Sequence, residues 1–372
     1  MTLFDKFSHG HISHKEYCQQ AYDILMWAIE ITNKKMGYET DIVLETLRKE
    51  GDTAVFTRSE GARKCIDEAF GVHNNLMDLS ILEMVLEKIQ ARKVNREESR
   101  TINSLVSSKE NLEYFMGCKS VNGNRKENNE DFAAAIVSPV NPNVKMLIVC
   151  DGVGGYVNGE KASETVVKEL IEWFQRQDTS GDIPEEFELA GAINNANDSI
   201  VFKYPGSATT LTCAIIGEKI TRIANIGDSR LYTIKDDWIT QLTEDDSLAW
   251  NIWYKEKGLE KERLRFLEIN NIIVKSLGSQ EGHVPITYTV PNDSYDSLLL
   301  TTDGITDILT DQNILRILAE NPNSAILDEL LKEACSTSRQ LPPDYLASIA
   351  RVIPVVPGKD NATAAFYTKI KH

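Results

Sequence analysis

Acidic residues recur at the ends of the apolar runs. Glu130 and Asp131 come in "NNEDF" just before "AAAIV", Asp151 follows "LIVC", Asp228 follows "IANIG", Asp303 follows "LLLTT", and Asp360 precedes "NATAAF". One such carboxylate is ordinarily the polar start of a loop; a series of them could converge if the strands ended at one edge. Asp151-Gly152 and Asp303-Gly304 also pair an acid with bare backbone, which permits close approach and offers an accessible carbonyl. Mg²⁺ and Mn²⁺ take oxygen ligands from carboxylates, carbonyls and water. The six histidines (9, 11, 14, 73, 283, 372) contain no paired ligand spacing. An oxygen-only site with more than one ion points to phosphoryl chemistry, where paired metals clamp the attacking and leaving oxygens.

Positioning these acids requires strands. After residue 110 the chain reads as short β-rich runs, "AAAIV", "KMLIVC", "TTLTCAII", "ITRIANI", "RLYTI", "SLLLTT" and "ATAAFYT", with helical segments at 160–177, 185–203, 244–268 and 311–335. Consecutive strands joined by tight turns at Gly217 and Gly227 predict antiparallel meanders, so the expected class is α+β, with packed sheets and helices outside. Before residue 105 the pattern is helical: Tyr17, Ala21, Ile24, Ala28 and Ile31 fall at helical spacing, as do Leu79, Leu82, Leu86 and Ile89. Residues 1–105 are thus expected to form an all-helical module of unknown role, and 110–372 a second domain. The polar stretch between them, "ARKVNREESRTINSLVSSKE", reads as a helix end or a linker. Its basic group, Arg92, Lys93, Arg96 and Arg100, reads as a solvated helix face in preference to a dock for an acidic partner.

A length of 372 residues suits two domains, and 42% hydrophobic with 26% charged residues is an ordinary globular composition. A net charge of −16 argues against nucleic acid or an anionic membrane as a partner, since both demand a basic face. Six scattered cysteines without a C-x-x-C read as reduced thiols in a cytoplasmic protein. No secretory signal and no run long enough to span a bilayer is visible.

Taken in order, "GNRKENNED", "VCDGVGGYVNGEKAS", "GSATTLTCAII", "IANIGDSRLYTI", "LTEDDSLAW", "NNIIVKSLG", "LLLTTDGITDIL" and "DNATAAF" resemble the successive motifs of the metal-dependent serine/threonine protein phosphatases, the type 2C or PPM family, over about residues 110 to 370. The resemblance implies a four-layer α-β-β-α sandwich of two antiparallel sheets flanked by helices. It implies two Mn²⁺ or Mg²⁺ ions, bridged by Asp151, with the Gly152 carbonyl, Asp303 and Asp360 as further ligands and Glu130 and Asp131 holding the second ion directly or through water. Asp228, with Asp307, would match the third, weaker site of bacterial-type members. The implied reaction is in-line attack of a metal-bridging water, held by Asp151, on phosphoserine or phosphothreonine of proteins, which in turn implies an opposing kinase.

The chain departs from the family at several places. The phosphate-gripping arginine is expected four residues before the glutamate of "NED", where Lys126 stands; either Arg125 serves through a one-residue bulge, the preferred reading, or Lys126 substitutes as a point charge. The histidine that follows "DG" in many eukaryotic members is Val153, and that of "T-x-D-H-S" is Asp246, which carries no expected role. A flap is expected at about 246–275, where Trp250 and Trp253 either contact substrate or, as preferred, pack the flap on the body. Residues 334–357 are expected to form a surface insertion near the cleft. The competing functions are a phosphatase fold that has lost catalysis and serves as a binding module, and a phosphoesterase acting on small molecules.

Overall fold

The computed structural model describes residues 100–103, 114–123, 128–153, 158–180, 183–278, 285–336, 342 and 344–370. All lie in the second of two compact units, Glu97–His372. Residues 1–99 of the expected helical module fall outside this set, as do Arg125 and Lys126.

Two sheets form the body. The first contains β1 (Thr101–Asn103), β3 (Phe132–Val137), β4 (Lys145–Cys150), β5 (Leu211–Ile216), β6 (Ile220–Ile226) and β9 (Ile286–Pro291), hydrogen-bonded in that order. The second runs β2 (Tyr114–Val121), β11 (Ala362–Lys369), β10 (Ser297–Thr301), β7 (Arg230–Lys235), β8 (Trp238–Gln241). Every pairing is antiparallel except β1 with β3, which is parallel. Helices α1 (Gly159–Gln175) and α2 (Glu186–Lys203) cover the first sheet; α3 (Asp303–Thr306), α4 (Asp311–Glu320) and α5 (Ile326–Ala334) cover the second.

Period-2 patterning builds these layers. In β4, Met146, Ile148 and Cys150 face Val166, Leu170 and Phe174 of α1, whereas Leu147 and Val149 point between the sheets toward Leu298, Leu300 and Ala365. Phe366 and Leu299 turn the other way, onto Leu330 and Ile317 of the outer helices. A strand buried on both faces is apolar throughout, which is why "KMLIVC" and "LTCAII" were legible as runs instead of alternations.

The stretch read as a linker supplies a strand: Thr101–Asn103 pairs with Ala133–Ala135, and Arg100 is buried, not part of a solvated face. The expected helical segment 244–268 is instead a π-helical turn, Trp250–Glu256, and a 3₁₀ turn, Lys261–Phe266. Trp250 is buried and stacks on Tyr254 at 4.2 Å, and it packs with half-buried Trp253, Leu264 and Leu267, the packing role preferred from sequence. The stretch expected as an insertion is tied to these turns: Ile353 N–H donates to the Phe266 carbonyl (2.8 Å), Glu268 N–H to that of Arg351 (3.1 Å), and Leu267 bridges Val352.

Phe174 is fully buried near the far end of α1, about 22 Å along the helix from its first turn. Phe174→Ala should cost about 3–5 kcal/mol. That loss is read as a lower denaturant midpoint at unchanged slope.

Candidate metal centre

Strand register brings the acids to one end of the sandwich. Phe132 lies opposite Cys150, so Glu130-Asp131 and Asp151 leave neighbouring strands at the same edge. Thr301 lies opposite both Ala364 and Arg230, which places Asp303, Asp360 and Asp228 just beyond one end of the second sheet. The Asp151 backbone is pinned across to the β5 lead-in: its N–H donates to Thr210 Oγ1 (2.9 Å), and its carbonyl accepts from Thr210 N–H (2.8 Å) and Thr209 Oγ1 (2.8 Å).

The two Asp-Gly pairs have steric causes. A Cβ on Gly152 would lie 2.5 Å from the carbonyl group of Gly159 and 2.8 Å from the Glu130 carbonyl oxygen. The loop therefore packs backbone to backbone against the first turn of α1, with Glu130 Oε1 close by Gly159. At Gly304 a Cβ would meet the Asn361 carbonyl oxygen at 1.9 Å, so the glycine lets the Asp303 and Asp360 loops touch. Gly154 and Gly155 lie outside the described residues.

A polar frame that sequence reasoning passed over holds the loops. Asn361, fully buried, donates to the carbonyls of Asn122 (2.8 Å) and Asn128 (3.2 Å) and accepts from Glu130 N–H (2.9 Å). Thr302 Oγ1 donates to Asp131 Oδ2 (2.8 Å), and Asp131 is fully buried. Arg230 of "GDSR" makes a buried bidentate pair with Asp245 (2.6 and 2.9 Å). Asp246 gains a role here: it accepts from Gly227 N–H (3.2 Å) and from Lys275 Nζ (2.7 Å), fixing the turn before Asp228. The motif spacing "DN" and "TEDD" signals these positions, but their partners are far away in sequence.

Five aspartates feel one another electrostatically. Burial, then repulsion from Asp360, Asp307 and Asp228, pushes the Asp303 carboxyl well above its ordinary range, and it hydrogen-bonds the Asp151 side chain. Burial, followed by Asp245 and Asp307, raises Asp228 to about 8. Burial raises Asp307 to about 6 against the opposing pull of Arg230 and Arg265, and Asn270 donates to it at 2.8 Å. One oxygen each of Asp228 and Asp303 is buried without a hydrogen-bond partner. Unsatisfied carboxylate oxygens amid mutual repulsion are what hard divalent cations relieve, so the donor set fits Mg²⁺ or Mn²⁺. Among the described residues no three Asp, Glu, His or Cys side chains are grouped closely enough to hold one ion. Beside Asp307 and Asp360 a cavity of about 30 Å³ is walled by Arg265 and by Ile353–Val356 of the insertion.

A sandwich of this topology with an acid-lined end defines a metal-dependent phosphatase fold. The family model for protein phosphatase 2C matches residues 122–340, and the chain belongs to that family. It is 35% identical over 182 residues to the serine/threonine phosphatase Stp of Listeria innocua, covering 46% of this chain and 71% of that protein. Phosphatase Stp1 of Staphylococcus aureus superposes with a TM-score of 0.56 at 26% identity, over 70% of this chain and 96% of that one. The catalytic domain of the phosphatase PstP, solved with two manganese ions, shares the fold at 23% identity and a TM-score of 0.54, over 69% and 99% of the two chains. Arg100, β1 and Asp360 lie outside the matched segment.

The raised acids set a pH dependence. Their folded pKa values, about 8 and about 6, exceed the ~4 of an unfolded chain. The stability they confer is therefore complete below ~4 and is lost as pH rises through 6 and then 8. Without divalent ions the melting midpoint should fall between roughly pH 5.5 and 8.5, and Asp228→Asn should flatten the upper part. Mn²⁺ should raise the midpoint more at the higher pH, because ligands bind deprotonated.

Proposed function

We propose that the chain is a metal-dependent phosphatase that hydrolyses phosphoserine and phosphothreonine on proteins, with the acid-lined end of its sandwich as the active site. The observation that carries this reading is the convergence of Asp151, Asp303 and Asp360 with Asp228 and Asp307. Asp151, the Gly152 carbonyl, Asp303 and Asp360 are the proposed ligands of two Mn²⁺ or Mg²⁺ ions, with Glu130 and Asp131 holding the second directly or through water. Asp228 and Asp307 would hold a third. When bound, the ions supply Lewis-acid activation of water and neutralise phosphoryl charge.

The chain's own residues orient and insulate this centre. Thr209 and Thr210 fix the Asp151 backbone, and Asn361 aligns the Glu130 and Asp360 loops. Arg230 and Arg265 temper the repulsion on Asp307 from the protein side. Arg125 is the proposed grip on the substrate phosphate. The flap and the insertion, joined by the Phe266–Ile353 and Arg351–Glu268 bonds, wall one side of the cleft.

Phosphoprotein substrates require a kinase to make them, and a net charge of −16 disfavours nucleic acid or an anionic membrane. Among the described residues no helix is long and apolar enough to cross a membrane. Buried free thiols at Cys118, Cys150 and Cys213 support a reducing cytoplasm. Residues 1–105 would regulate the enzyme or select its substrates. Loss of catalysis is the weaker reading, because a pure binding module has no use for crowded, repelling carboxylates.

Hydrolysis of a phosphothreonine peptide should require Mn²⁺ or Mg²⁺, and Asp151→Asn should lower it by roughly a hundredfold or more. A folded wild type without turnover in either metal would move the assignment to a binding module.

A further inference from the structure

We propose that Arg100, supplied from outside the matched family segment, is a positioning residue for the metal centre: it clamps the backbone of Glu130 and Asp131 and thereby sets the affinity of the ion on the Glu130 side. The inference rests on the metal-centre reading above.

Arg100 sits four residues past Arg96, where the first compact unit ends, and directly before β1. Its side chain is buried. The guanidinium donates through Nε to the Asp131 carbonyl (2.6 Å), and through Nη2 to the carbonyls of Glu130 (3.2 Å) and Glu160 (3.1 Å) and to Ser163 Oγ (2.8 Å). It lies 4.5 Å over the Phe132 ring and 3.7 Å from the Glu164 carboxylate. Both carbonyls of the acidic pair are thus bound by one rigid side chain, while Ala133 N–H returns a bond to the Arg100 carbonyl (3.1 Å).

The Glu130 carbonyl is a junction. Besides Arg100 it accepts from Ser163 Oγ and from Gly152 N–H (3.1 Å), so the same oxygen joins the acidic pair to the loop whose carbonyl is a proposed ligand. On the opposite side, Glu130 N–H is held by Asn361, the neighbour of Asp360. The Glu130 backbone is therefore gripped between Arg100 and Asn361, while its Oε1 lies by Gly159 at the start of α1. An arginine that only fastened β1 to the sheet would have no need to reach both carbonyls. A planar fork can serve these acceptors at once; a lysine ammonium, a point charge on a flexible stem, cannot.

The test titrates Mn²⁺ into the full-length wild type, Arg100→Lys, Ser163→Ala and Phe174→Ala, counting sites and affinities by electron paramagnetic resonance of free Mn²⁺, with metal-free melting recorded alongside. Arg100→Lys should weaken one ion by roughly 10–100-fold, the usual effect of losing an outer-shell partner. Ser163→Ala, which removes one donor from the Glu130 carbonyl, should weaken the same ion severalfold and covers the case in which Arg100→Lys does not fold. Phe174→Ala, destabilised at a distance, should keep both affinities. If the folded Arg100 and Ser163 variants bind two ions as the wild type does, or if Phe174→Ala loses affinity in proportion to stability, Arg100 is only a structural tie and the inference fails. If the wild type binds no Mn²⁺, the metal-centre reading itself falls, and the inference with it.

Discussion

Carboxylates gathered at one end of a β-sandwich repel each other, and burial adds the cost of stripping water from each. Asp151, Asp228, Asp303, Asp307 and Asp360 would move apart if their backbones allowed it. Burial and this repulsion together raise the Asp228, Asp303 and Asp307 carboxyls above their ordinary range. The architecture supplies the restraint. Asp151, Asp228, Asp303 and Asp360 each sit within three residues of a strand whose pairing fixes where it emerges, and Asp307 follows one helical turn after Asp303, its N–H donating to the Asp303 carbonyl (2.7 Å).

Loops between strand and acid need their own restraint, and buried polar groups provide it. Asn361 satisfies the carbonyls of Asn122 and Asn128 and the N–H of Glu130; Thr302 links the Asp131 carboxylate to β11; Arg230 and Asp245 neutralise each other near Asp228. Such groups tolerate little substitution, since removing one partner leaves the other buried and unsatisfied. The glycines belong to the same frame, because Gly152 and Gly304 stand where backbone meets backbone and no side chain fits.

Residues 246–275 are held by a distant segment of the chain. Trp250, Leu264 and Leu267 form a small apolar cluster with Ala350 and Val352, and short backbone pairing joins 266–268 to 351–353. Arg265 of this stretch donates to the Ile308 carbonyl (2.8 Å) while its charge acts on Asp307, so the same stretch also touches the acidic end of the sandwich.

Buried strands and chemistry-bearing residues announce themselves in the sequence. "KMLIVC" and "LTCAII" are apolar because both faces are covered, and the recurring acids with their glycines stand in plain view, as do the family's ordered motifs. Other elements depend on tertiary context. In "YFMGCKSV" of β2 a glycine and a lysine interrupt the run, and "WITQ" of β8 is a half-exposed edge too short to show a period. The irregular turns at 250–266 are followed by a bridge from Leu267 to Val352, about 85 residues downstream, a contact no local pattern carries. Arg100 reads as one more surface charge until the fold carries its partners, 30 to 63 residues away, around it. Residue types set which chemistry is available, because charge and softness are local properties. Which carboxylates meet, and what grips them, belonged to the tertiary structure, since both are contacts between distant segments.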